Sequence, residues 1–114
     1  DMSPARSIEK PLAVINAILM NPNTRSLLLS FNYLQLLPCT ILVGALCEAL
    51  KQHSIDTKLF PIVIRVFGPN ETEARKMIEK FPGVTYMAPG ASLDDAVKLI
   101  VDMTKELVQE KNVK

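Results

Sequence analysis

The run Pro61-Ile62-Val63-Ile64-Arg65-Val66-Phe67 constrains this chain more than any other stretch. Its β-branched residues favour an extended, pleated backbone. A nearly continuous apolar run of this length reads as a strand buried on both faces. Gly68-Pro69 breaks it. Asn70-Glu71-Thr72-Glu73 then opens a helix, with Asn70 as N-cap and Glu73 at the third helical position, a capping-box variant. A buried strand passing straight into a helix is half of a parallel β-α-β unit, so the rest of the chain must supply neighbours for it.

The same grammar recurs on either side. A helix is predicted over residues 8–20, or from Pro11, with Leu12, Ile15, Ile18 and Leu19 at helical spacing and Asn21-Pro22-Asn23 as its stop. Ser26 to Phe31 is a second apolar run. After a loop containing Pro38, a helix over about 40–53 carries Leu42, Ala45, Leu46, Ala49 and Leu50. The helix after Asn70 carries Ala74, Met77 and Ile78 and ends before Pro82-Gly83. Val84 to Met87 is a third short strand, Pro89-Gly90 turns the chain, and Ser92 caps a last helix with Asp94 and Asp95 at its positive end. The order α-β-α-β-α-β-α implies parallel pairing and right-handed crossovers. The fold class is therefore α/β, flavodoxin-like, a three-layer α/β/α arrangement on a short parallel sheet.

The 114 residues make one domain, with 1–7 and 110–114 expected to be disordered. Three strands are few for four helices. A strand before residue 8 would complete the pattern, and residues 1–7 do not supply one. The expectation is a fragment of a longer chain, with one edge of the sheet open.

Composition removes several function classes. Net charge is +1, with 13 basic and 12 acidic residues interspersed, so no basic stripe invites nucleic acid. Apolar runs are too short to span a bilayer. Cys39 and Cys47 lie eight residues apart on one predicted helix, roughly 12 Å at 1.5 Å per residue, beyond the about 7 Å that a disulfide spans. Reduced thiols and an intracellular setting are expected. His53 is the only histidine and no CxxC occurs, so no metal and no cofactor are expected.

In open α/β sheets, ligands bind beyond the carboxyl ends of the strands. Residues 32–40, 68–70 and 88–92 form the loops at that edge, and each leads into a helix N-terminus, whose free N–H groups suit an anion. Arg65 has two readings: a buried guanidinium needing a partner and serving as a ligand or interface anchor, or an edge strand with Arg65 in water. Gly68 marks a tight turn or positive φ. Asn70 is most simply a cap, and His53 suits a helix C-terminus. Ser30 and Ser92 have no base nearby in sequence, so no catalytic residue is assigned.

These segments resemble the carboxy-terminal, flavodoxin-like domain of the succinyl-CoA synthetase β subunit over roughly residues 8–108. The strongest match is "PIVIRVFGPNETEARKMI", where Arg65, Gly68 and Asn70 occupy the family's Arg, Gly-x-Asn positions. "GASLDDAVKLIV" is similar to the family's last turn and helix, and "NPNTRSLLLSF" to the segment before its glycine loop. That loop reads approximately Phe-Gly-Gly-Ile-x-Arg-Cys-Asp and faces a phosphohistidine on the α subunit. In this chain Tyr33 stands for Phe, Leu34 and Gln35 for the glycines, Pro38 for Arg and Thr40 for Asp, while Cys39 matches. Side chains at Leu34 and Gln35 fill space that glycines leave for phosphate, and the fixed positive charge is lost. The resemblance therefore implies a degenerate phosphate loop at Leu34, Gln35, Cys39 and Thr40. The implied role is non-catalytic association with a protein partner, an α-subunit-like one or a second copy. The alternative is a fragment of a working nucleoside-triphosphate-dependent succinate–CoA ligase subunit, which would place the parent in mitochondria.

Overall fold

A computed structural model of the chain describes residues 9–21, 23–31 and 38–113. It is an α/β fold with four helices on a three-stranded parallel sheet, compatible with a small flavodoxin-like α/β/α arrangement. The elements are α1 (Glu9–Met20), β1 (Leu27–Phe31), α2 (Cys39–Gln52), β2 (Ile62–Val66), α3 (Glu71–Ile78), β3 (Val84–Tyr86) and α4 (Leu93–Val113). All seven predicted elements are present, most ends shifted by a residue or two, with α3 stopping at Ile78, short of Pro82. α4 continues to Val113, past Lys111, where the sequence led us to expect a frayed tail.

The sheet order is β1-β2-β3, with Leu27 opposite Ile62 and Ile62 opposite Val84. The run that opened the sequence reading is thus the central strand. Its burial is nearly complete: Ile62, Val63, Ile64 and Val66 are all buried. Alternation of side chains sends Ile62, Ile64 and Val66 to one face and Val63 and Arg65 to the other.

The two faces are covered unequally. α1, α2 and α3 pack side by side on the first, where Leu46, Leu50, Ile64, Val66 and their neighbours form the main core. α2 dominates it, because eight of its fourteen residues are buried. Gly44 lets α3 approach closely, since a Cβ there would sit 3.3 Å from Met77 Cε. On the second face, among the described residues, α4 lies alone across β2 and β1, and the buried cluster there is Val63, Ala96 and Ile100.

Local chemistry explains the element ends. Asn21 Oδ1 accepts from the Asn23 N–H at 2.9 Å, an Asx turn that stops α1. α2 closes with Ser54 at φ 52°, and the Ile55 N–H reaches the Leu50 carbonyl at 3.1 Å, a Schellman ending without its usual glycine. Pro89-Gly90 forms a type II turn: Gly90 has φ 90°, and the Ala91 N–H donates to the Ala88 carbonyl at 3.1 Å.

Candidate functional site

Parallel strands bring Phe31, Val66 and Tyr86 to one edge of the sheet, and α2, α3 and α4 all start there. This carboxyl edge is where the three candidate loops were placed. Leu34 and Gln35, with Asn32 and Tyr33, lie outside the described residues. Cys39, Thr40, Arg65, Gly68 and Asn70 lie at this edge.

What decides the edge's chemistry is how its helix N-termini are satisfied. Pro38, the N-cap of α2, has no N–H to offer. The Cys39 N–H donates to the Pro69 carbonyl at 2.8 Å, and the Ile41 N–H turns back to the Pro38 carbonyl at 3.0 Å. The chain thus supplies acceptors where a bound anion would otherwise serve. α4 is closed by Ser92, whose Oγ accepts from the Asp95 N–H at 3.0 Å, as its sequence position predicts. Glu71 and Glu73 sit in the first turn of α3, and Asp94 and Asp95 in that of α4. These carboxylates already complement the helix dipoles.

Asn70 corrects one expectation. It is the N-cap of α3, but its side chain makes no cap hydrogen bond. Its Nδ2 instead donates to Glu73 Oε1 at 2.7 Å. The reason is its backbone, which is left-handed at φ 63°, where Asn is among the few tolerated residues. Gly68 at φ 137° occupies the positive-φ region expected of it.

Arg65 resolves to the partnered reading. β2 is the central strand, so the alternative of an edge strand is overturned. Its Nε donates to the Ala91 carbonyl at 2.8 Å and its Nη1 to Ser30 Oγ at 3.2 Å, with the Phe67 ring centroid 5.8 Å away. Arg65 therefore ties β1, β2 and the turn before α4 together. Ser30, opposite Arg65 in the ladder, is its acceptor rather than a nucleophile.

A second cluster was not singled out from sequence. Arg75 Nη2 contacts Glu71 Oε2 at 2.7 Å and the Met87 carbonyl at 2.6 Å, and its guanidinium lies 4.2 Å from the Tyr86 ring centroid. The i,i+4 spacing of Glu71 and Arg75 was the legible signal; the stacking needed β3. Tyr86 OH donates to the Val66 carbonyl at 2.5 Å, and Cys39 Sγ reaches that same oxygen at 3.8 Å. Burial pushes the Cys39 thiol above its ordinary value of 9.0, partly offset by the neighbouring Tyr86 hydroxyl. Burial likewise raises the Tyr86 phenol, and Cys39 raises it further. Protonated and enclosed, Cys39 is a packing residue here, not a nucleophile.

His53, the C-cap of α2, meets Asn16 of α1, its Nε2 lying 3.0 Å from Asn16 Oδ1. Cys39 and Cys47 are both free and buried. Among the described residues there is no group of three side chains placed to hold a metal ion, and no helix long and apolar enough to cross a membrane. No protein-family model matches the chain, and no curated protein matches it.

Proposed function

We propose that this chain is a non-catalytic, succinyl-CoA-synthetase-β-like domain that works by protein–protein association. The observation that carries this reading is the self-satisfied start of α2: the Cys39 N–H is spent on the Pro69 carbonyl, and Pro38 has none. In the resembling family this helix start and the loop before it face phosphate. Here acceptors from the chain itself, four first-turn carboxylates on α3 and α4, and Leu34-Gln35 in place of glycines all act against an anion. The residues that hold the scaffold, Arg65, Gly68 and Asn70, keep structural work, as their contacts and backbone angles indicate. A fold kept without its pocket is of use through its surface.

The test is a ¹⁵N NMR titration of the chain with inorganic phosphate, CoA and succinate. The expected result is no saturable shift. Saturable shifts centred on residues 33–41 at sub-millimolar ligand would overturn this reading and favour a ligase subunit with a divergent loop. Arg65 and Gly68, which stand at the resembling family's motif positions in the sequence, support that second reading. An ATP-grasp domain upstream in the parent sequence would decide for it.

A further inference from the structure

Among the described residues, five of the seven large exposed apolar side chains fall on two helix flanks, with Met20 and Leu59 elsewhere. α1 packs on α2 through Asn16, which meets His53 and Gln52. At 100° per residue, Val14 and Ile18 lie on the opposite flank of α1, pointing away from α2 on the β1 side of the sheet. They are 60% and 38% exposed. On the other face, Glu106 and Met103 of α4 line a groove with Gly83, which precedes β3. Leu93, Val97 and Val101 lie on the flank opposite Glu106, again toward β1, and are 50%, 44% and 43% exposed. Between these two apolar stripes runs β1, which pairs only with β2 among the described residues.

A strand edge gripped from both faces selects its occupant. The backbone groups along the edge call for another strand. The stripes above and below require that strand to be apolar on both faces. Leu27–Phe31 is such a strand, with Leu27 and Leu29 on one face and Leu28 on the other. Neither Leu12–Met20 nor Leu27–Phe31 contains a charged residue, so these two segments set no like charges against a second copy. On α4, Asp94, Lys98 and Asp102 alternate in sign at one-turn spacing, so an antiparallel copy displaced by one turn meets opposite charges.

We infer that the chain forms a two-fold homodimer in which β1 pairs antiparallel with β1 of a second copy. A two-fold axis normal to the sheet creates one six-stranded sheet. It sets α1 against its copy on one face and α4 against its copy on the other. Every apolar strip then meets itself, as an isologous interface demands. This assignment names the partner within the association reading above and rests on it.

Sedimentation velocity on the full chain over a concentration series tests it, with Val14→Asp, Val97→Asp and Leu59→Asp variants. Leu59 is as exposed as Val14 but lies in the segment between α2 and β2, off this flank. The expected result is a wild-type dimer, weakened about tenfold or more by either flank variant and unchanged by Leu59→Asp, with circular dichroism unaltered in all three. A wild-type monomer up to about 1 mM would overturn the dimer, including one whose β1 edge is covered by its own residues 1–8. So would a dimer that tolerates both aspartates. A monomer that still ignores phosphate, CoA and succinate would remove this dimer and leave the non-catalytic reading standing.

Discussion

The carboxyl edge of the sheet and the outer side of β1 make opposite use of their backbone. At the carboxyl edge several polar groups take partners from the chain: Cys39 N–H with Pro69, Ser92 with Asp95, Arg65 with Ala91 and Ser30, Arg75 with Glu71 and Met87. Along β1 the outer side has no strand partner among the described residues, and apolar side chains stand exposed above and below it. The first region is where α/β folds of this kind hold small ligands, and there the Cys39, Ile41 and Asp95 N–H groups are bonded within the chain. The second would normally be covered, and among the described residues no strand pairs with it. The difference teaches that the contacts fixing the carboxyl edge and the flank proposed to associate lie in separate places, so each can be perturbed by its own surface substitution.

The largest expected effect lies in the core under α2, away from both regions. Leu46 is fully buried. Leu46→Ala should cost about 2–5 kcal/mol in urea denaturation, enough to compromise both regions together. Next is Gly83→Ala. Gly83 has φ 89°, and a Cβ there would sit 2.8 Å from the Thr57 carbonyl oxygen, which is backbone and cannot swing aside. Strain of about 1–3 kcal/mol is expected, with a larger loss than for Gly90→Ala, where φ is 90° but nothing stands within 4 Å.

A pH effect of comparable size sharpens the carboxyl-edge side of the contrast. Cys39, Cys47 and Tyr86 all have folded-state values raised above their ordinary ones by burial. A raised acid keeps its proton in the folded state while the unfolded chain loses it. The contribution is full below the ordinary thiol value of 9.0 and falls as pH rises beyond it. Denaturation midpoints should therefore drop above about pH 9, by up to about 1.4 kcal/mol per pH unit for each group. Cys39→Ser and Cys47→Ser should each flatten that slope. Ser92→Ala, which removes the cap of α4, should cost about 1 kcal/mol. Smallest is Val97→Asp, a surface change of at most about 0.5 kcal/mol in stability, whose effect should appear in association instead.

How legible this was in the sequence follows the physics of each element. The strand Ile62–Val66 and the turns at Gly68, Pro89-Gly90 and Ser92 were readable because their signals are local: β-branching, positive φ, a hydroxyl at the right offset. Asn70 was misread because its backbone entered the left-handed region, which turned its side chain from the helix N–H groups toward Glu73. Arg65 stayed ambiguous until strand order made β2 central, and strand order is not written in any one segment. Cys39, Tyr86 and Val66 converge from three elements, so no spacing announced them. The closing of the α2 N-terminus by Pro69 was equally hidden, because it joins two loops across 30 residues of chain.

Amide hydrogen exchange in the ligand-free protein tests the central contrast most directly. The account predicts slow exchange at Cys39, Ile41 and Asp95, whose N–H groups are bonded to Pro69, Pro38 and Ser92, with no further slowing on adding phosphate. Fast exchange at Cys39 and Ile41 that phosphate then slows would mean an unfilled anion site at the carboxyl edge, and would contradict it.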